Sequence, residues 1–389
     1  MLLTWDWKRF FAVHALFALI WAQAPQENYD VIVIGGGPSG LSAASALSRV
    51  LRKVALFDSG EYRNNPTRHM HDVIGSDHVV PAEFREAARK QISFYNMTTF
   101  FDQEVITMEK ADQNTFRATT ANGTYTARKV ILASGVKDDL PNVPGLRDAF
   151  GNGVFWCPWC DGFEHRDQPM GVLGDLSDGY DSVKELYPTL NKDIRIYANG
   201  TNNAAQLNRL NSKNKDWQKV FNAYNVTVNA KPILNITRTQ SGSEYHDAAI
   251  RKEFDKFRVY FTDGTYEERG AFMTNYGTSQ TSNLPEQLKV GFLGKKMNTT
   301  APGLRTTVPG VWGVGDANSD NSTNVPHAMF SGKKAAVYCH VELATEELAQ
   351  VSSNPAKRAA MLDDRSIHER TARQMGNEVG DVYKRLVRF

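Results

Sequence analysis

Tyr29-Asp30-Val31-Ile32-Val33-Ile34-Gly35-Gly36-Gly37-Pro38-Ser39-Gly40 decides the fold of this chain of 389 residues. The first half is a short apolar run, as expected of a strand buried on both faces of a parallel sheet. The second half is Gly35-x-Gly37-x-x-Gly40, and Leu41 to Val50 continues with small residues at helical spacing. Lys53 to Phe57 supplies a second buried strand ending at Asp58, eighteen residues beyond Gly40, with Ser59 next. Strand, glycine turn, helix, strand and acid in that order form a dinucleotide-binding unit. Gly35 permits the tight turn, and Gly37 lets the backbone approach a pyrophosphate. The helix opened by Pro38 and Ser39 points its positive end at that pyrophosphate. Asp58 is placed to bind a ribose hydroxyl.

Further along, Phe116 to Lys129 reads as a hairpin turning at Asn122-Gly123, and Val130 to Ala133 as another buried strand. A Pro- and Gly-rich bridge, Leu140 to Gly153, marks a domain junction. Met170 to Gly174 starts a second βα unit, with a helix near Tyr180 to Leu186, stopped before Pro188, and a strand at Ile194 to Tyr197. Strands near Val259 to Thr262 and Ala271 to Thr274 close this middle region. Gly310 to Val314 is a strand leading to Gly315-Asp316, and a helix runs from about Pro326 to Leu348. The expected class is α/β, with two dinucleotide-binding domains of three-layer, Rossmann-like build. Residues 23–147 and 283–389 would form the first domain, and 148–282 a second domain inserted into it.

Cys157-Pro158-Trp159-Cys160-Asp161-Gly162 lies at the start of the inserted part. A C-x-x-C beside a βαβ unit reads as a dithiol/disulfide couple. A structural disulfide is the other reading, but so small a loop gains little conformational entropy and cross-links nothing distant. Zinc would want further ligands, and Cys339, the third and last cysteine, is poor material. No metal is expected, and Cys339 reads as a small buried hydrophobe inside the last helix.

Together, the glycine fingerprint, the C-x-x-C-D-G motif near the middle of the sequence and the late Gly315-Asp316 resemble the low-molecular-weight thioredoxin reductases across nearly everything after the first segment. The resemblance implies FAD as cofactor. Ala133-Ser134-Gly135 stands where these flavoproteins carry an Ala-Thr-Gly turn, and Asp316 where an Asp holds the ribityl chain. It further implies that Cys160 is the flavin-proximal thiol, that Cys157 meets substrate, and that Asp161 handles protons, an ordinary helix-capping Asp being the alternative. A reductase also needs a second glycine fingerprint for NADPH. The matching stretch is Gly171-Val172-Leu173-Gly174-Asp175-Leu176-Ser177-Asp178-Gly179. Leu176 takes the middle glycine position, where its side chain is expected to obstruct the pyrophosphate, and Asp175 and Asp178 add negative charge. No basic pair follows Ile194 to Tyr197 to hold a 2′-phosphate.

Without NADPH the electrons would run from thiols to the disulfide, to FAD and to dioxygen. The sequence then resembles two fungal branches of the family. One is the secreted sulfhydryl oxidases acting on glutathione-like thiols. The other is the dithiol oxidases that close the disulfide of gliotoxin-like metabolites. Tyr62-Arg63-Asn64, His69-Met70-His71-Asp72 and Val325-Pro326-His327-Ala328-Met329 look like the flavin-side segments of this branch. The resemblance thus places Arg63, Asn64, His71, Val325 and His327 at the cofactor. His327 could take the substrate proton at its helix N-terminus, or it could be a capping or packing residue. An altered NADPH-dependent reductase and a non-catalytic flavin-binding protein remain the other readings. The resemblance also implies a homodimer.

Lys8 and Arg9, the apolar run Phe10 to Ala22 and the small Ala22 and Ala24 read as a signal peptide ending at Ala22. The run is shorter than the roughly 20 residues of a membrane span. Sequons at Asn96, Asn122, Asn199, Asn225, Asn235, Asn298 and Asn321 fit an N-glycosylated, secreted protein. A net charge of +2, from 45 basic and 43 acidic residues, points to neither nucleic acid nor an anionic membrane as partner.

Overall fold

The computed structural model describes residues 28–320 and 323–352, together with 355, 356, 367, 369, 371 and 372. The signal segment, the sequon at Asn321 and most of the tail after Val351 lie outside the described residues.

β1 (Asn28–Ile34) leads through the glycine turn into α1 (Pro38–Ser48) and then β2 (Val54–Phe57). β3 (Thr98–Phe101), β4 (Thr107–Lys110), β5 (Phe116–Thr120) and β6 (Gly123–Leu132) follow. β6 pairs antiparallel with β5 at its start and parallel with β1 at its end, where Ile32 lies opposite Val130. The expected hairpin arm and the expected strand after it are therefore one strand. Its sequence turns from alternating to uniformly apolar where it passes from the margin to the middle of the sheet, because both faces are then covered.

A second parallel sheet comes next. Its members are β7 (Val154–Phe155), β8 (Met170–Leu173), β9 (Ile194–Tyr197), β10 (Thr227–Asn229) and β11 (Ala271–Thr274). Their spatial order is β10-β9-β8-β11-β7. Between β7 and β8 lies the short α2 (Pro158–Asp161), and α3 (Leu176–Leu186) follows β8. This helix begins earlier than its sequence suggests, because Asp175 caps it.

β12 (Val311–Gly313) returns to the first sheet beside β6, giving the parallel core β12-β6-β1-β2-β3. α4 (Val325–Val351) then lies against α1. The two helices touch through backbone. A Cβ added at Gly332 would stand 2.0 Å from the Ser39 carbonyl oxygen, and the Ser42 hydroxyl donates to the Met329 carbonyl at 2.6 Å. The central strands of each sheet are buried on both faces, Val31, Ile32 and Trp312 being fully enclosed in one sheet and Val172, Ile196 and Phe272 in the other. Among the described residues no helix is long and apolar enough to cross a membrane.

Candidate functional site

The site begins at the turn between β1 and α1. Gly35 has φ +111°, and a Cβ at Gly40 would lie 1.9 Å from the Gly35 carbonyl oxygen, so turn and helix close only on bare backbone. Gly37 is different. Nothing lies within 4 Å of where its Cβ would be. It is the N-cap of α1, makes no side-chain hydrogen bond there, and has no acid in the turn after it. The N–H groups of this helix end thus face open space.

That space is a cavity of about 1330 Å³. Gly35, Gly37, Pro38, Ser39, Asp58, Ser59, Arg63, Asn64, His71, Ala133, Ser134, Gly135, Asp316 and Val325 line it, and so do Cys157, Cys160 and Asp161. Gly40 and Gly315 stand behind the wall, where their small size lets backbone approach Gly35 and Ser39. His327 is exposed and does not line the cavity. Its backbone N–H donates to Asn324, which is the cap of α4.

A dinucleotide flavin fits this cradle. The uncapped end of α1 suits a pyrophosphate, and Asp58 at the end of β2 suits a ribose. The Ser134 hydroxyl is buried in the wall with no hydrogen-bond partner among the described residues. Arg63 bridges the cavity, donating to both oxygens of Asp138 (2.7 and 2.9 Å) and to Asp316 Oδ2 at 2.8 Å. Burial works against the Arg63 charge, but the two carboxylates outweigh it and raise its pKa.

Cys157, which also lines the cavity, caps α2 and is joined to Cys160 as a disulfide. Both are partly exposed, while Asp161 is buried. Burial pushes the Asp161 carboxyl up to about 7, and Glu164 reaches about 7 for the same reason. His165 holds the turn from behind. Its Nδ1 lies 2.9 Å from the Asp161 carbonyl and its Nε2 3.1 Å from Asp255 Oδ2, and Arg68 clamps Asp255 through two bonds. Burial opposes a charge on His165, but the bond to Asp255 raises its pKa on balance.

Known proteins resemble this chain in sequence and fold. The family model of the pyridine nucleotide-disulphide oxidoreductases matches residues 29–176. A probable thioredoxin reductase of Arthroderma benhamiae is 50% identical over 83% of this chain and 82% of its own length. The thioredoxin reductase aclD of Aspergillus oryzae is 32% identical over 83% of this chain and 98% of its own. The crystal structure of HlmI superposes with a TM-score of 0.72 at 26% identity, covering 87% of this chain and 98% of that one.

The chain belongs to the pyridine nucleotide-disulphide oxidoreductase family. It is an oxidoreductase of the thioredoxin-reductase-like type, and FAD is the cofactor that such flavoproteins bind.

In this oxidoreductase the second βα unit is built differently from the first. Asp175 Oδ1 accepts from the Asp178 backbone N–H at 2.8 Å and so caps α3, while Asp175 Oδ2 and Asp178 Oδ1 are both held by Arg209 (2.8 and 3.0 Å). Burial and Asp175 raise the Asp178 pKa. Leu176 does not obstruct as the sequence suggests. It is 1% exposed and lies in the core of the second sheet, because the first residue of α3 faces inward. A carboxylate of the protein itself, not an apolar side chain, fills the phosphate-binding end. At the neighbouring strand Arg195 is paired with Glu267 at 2.7 Å.

Sequence reasoning missed several residues of the site. Asp138 fixes Arg63, and Glu164, His165, Asp255 and His78 surround the cysteine turn. Glu164-His165 held a usable signal, as a charged pair following a redox motif in a segment about to enter a buried strand. Asp255 and His78 held none, since only the fold brings them there.

Proposed function

We propose that this flavoprotein is a secreted thiol oxidase, taking electrons from glutathione-like thiols and giving them to dioxygen. One observation carries the reading. Of two similar βα units, the first leaves its helix N-terminus open and the second closes it with Asp175. A nicotinamide dinucleotide would have to displace that carboxylate and the Arg209 pairs with it. The relatives above are named thioredoxin reductases, a name that implies a reductant this end of α3 is not shaped to receive.

The cysteines then do the following. A substrate thiolate attacks Cys157 Sγ, the Cys157–Cys160 bond breaks, and Cys160 leaves as the thiolate. A second substrate thiol attacks the mixed disulfide, so the substrate departs as its disulfide and two electrons remain on the dithiol. When bound, FAD supplies the acceptor that restores the protein disulfide and passes the pair to dioxygen as hydrogen peroxide. Asp161, with a pKa of about 7, can hold or release a proton at neutral pH. His327 is exposed and does not line the cavity, so no proton step is assigned to it.

Oxygen uptake by the purified yellow protein tests this. With glutathione it should consume dioxygen and release one peroxide per glutathione disulfide formed. Turnover of a tethered dithiol without turnover of monothiols would instead favour closure of a metabolite disulfide. No uptake with either would sink the oxidase reading.

A further inference from the structure

Three groups able to ligate a metal converge beside the cysteine turn. His71 Nε2 lies 3.0 Å from His78 Nδ1 and 3.3 Å from Glu164 Oε1, and the three atoms all lie within 4.8 Å of one another. An imidazole nitrogen carries either one proton or one lone pair. If Nε2 is protonated it can donate fully to His78 or to Glu164, not to both. If it is bare it can accept from only one. Each arrangement leaves one of the two contacts without a hydrogen bond between the groups themselves. Glu164 Oε2 has no hydrogen-bond partner among the described residues.

We propose that His71, His78 and Glu164 form a binding site for a divalent cation of the zinc class. A cation at their centre uses all three lone pairs at once. Zinc at bond lengths of about 2.0–2.1 Å in tetrahedral array puts its ligand atoms roughly 3.3–3.4 Å apart, close to the two separations above, while the third pair, His78 and Glu164, is wider but within 4.8 Å and would close slightly around an ion. The outer shell agrees. His71 Nδ1 lies 4.0 Å from Asp161 Oδ1, and a ligating histidine usually turns its second N–H to a carboxylate or a backbone carbonyl. His78 is only partly buried, which gives an ion a way in.

A second group, His165, Glu253 and Asp255, has similar composition but a different balance. Arg68 is hydrogen-bonded to both of its carboxylates and already supplies their positive charge. Among the described residues the first group has no such guanidinium hydrogen-bonded to it.

The test is calorimetric titration of zinc alone into untagged, disulfide-oxidised flavoprotein. One ion per protein molecule should bind at about micromolar concentration or below. His78→Ala and Glu164→Gln should each weaken binding at least about tenfold while keeping the flavin spectrum, and Glu253→Gln should not weaken it. X-ray absorption at the zinc edge should report nitrogen and oxygen ligands without sulfur. No binding by the native protein overturns the proposal. So does binding that survives both His78→Ala and Glu164→Gln, or binding lost only with Glu253→Gln.

Discussion

At Gly40 backbone meets backbone, and a methyl group there would stand 1.9 Å from the Gly35 carbonyl. Gly40→Ala should cost about 3 kcal/mol or more and release FAD, read by thermal melting and by the flavin remaining after gel filtration. The cysteines allow a cleaner test of roles. Cys157→Ser and Cys160→Ser should both abolish thiol oxidation while keeping FAD. Only Cys157→Ser should show long-wavelength charge-transfer absorbance, and the band in the other variant would reverse the two roles. Asp161 carries a pH signature. Its pKa rises from 3.8 to about 7 on folding, so the native state binds a proton the unfolded state has released. The stability this gives is full below about pH 4 and is lost as pH rises toward 7. Asp161→Asn removes the ionised, buried form, so its gain in melting temperature over the native protein should be larger at pH 8 than at pH 5. An equal gain at both would mean that Asp161 is ionised throughout. The place of Asp161 beside the cysteines is legible in the motif, but its burial is not, since that depends on segments around Arg68 and Asp255, far away in sequence.

Among the elements, β1–α1 and β8–α3 are the same unit put to different use. Both are legible, because a strand covered on both faces must be an unbroken apolar run and a following glycine turn must admit a helix. What closes α3 is only half legible. Asp175 and Asp178 read as negative charge, yet the motif points to Leu176 as the obstruction, since sequence alone does not tell which way the first side chain of a helix points. The join between α4 and the first sheet is not legible at all. Lys129, on β6, is buried and bonded to Glu342 at 2.6 Å, with Glu346 beside it on the same helix. Lys129→Ala leaves Glu342 with Arg305 as its remaining cation and should cost about 1.5–3 kcal/mol, the loss of a charged hydrogen bond, measured by denaturant unfolding. A change below about 1 kcal/mol would show that the pair is screened by water as surface pairs are.

For the whole molecule, two parallel sheets, an FAD cradle between strand ends and a disulfide facing that cradle are all readable from three short motifs and their order. Secretion is a separate matter. Four sequon asparagines, Asn96, Asn122, Asn225 and Asn298, are exposed, whereas Asn199 accepts from the Ile233 backbone N–H at 2.7 Å. Protein collected from the medium of a fungal host should therefore carry glycans at those four and not at Asn199, as peptide mass spectrometry would read. Cytosolic, unmodified protein would contradict the proposed secretion. The central claim is that thiols, and not NADPH, reduce this flavoprotein. Its most direct measurement is anaerobic mixing of the oxidised yellow protein with excess NADPH while the flavin absorbance is followed. The account predicts no bleaching over many minutes, then bleaching when glutathione is added and recovery when air is admitted. Rapid bleaching by NADPH alone would contradict it, because the Asp175-capped end of α3 would then have received the nicotinamide dinucleotide after all.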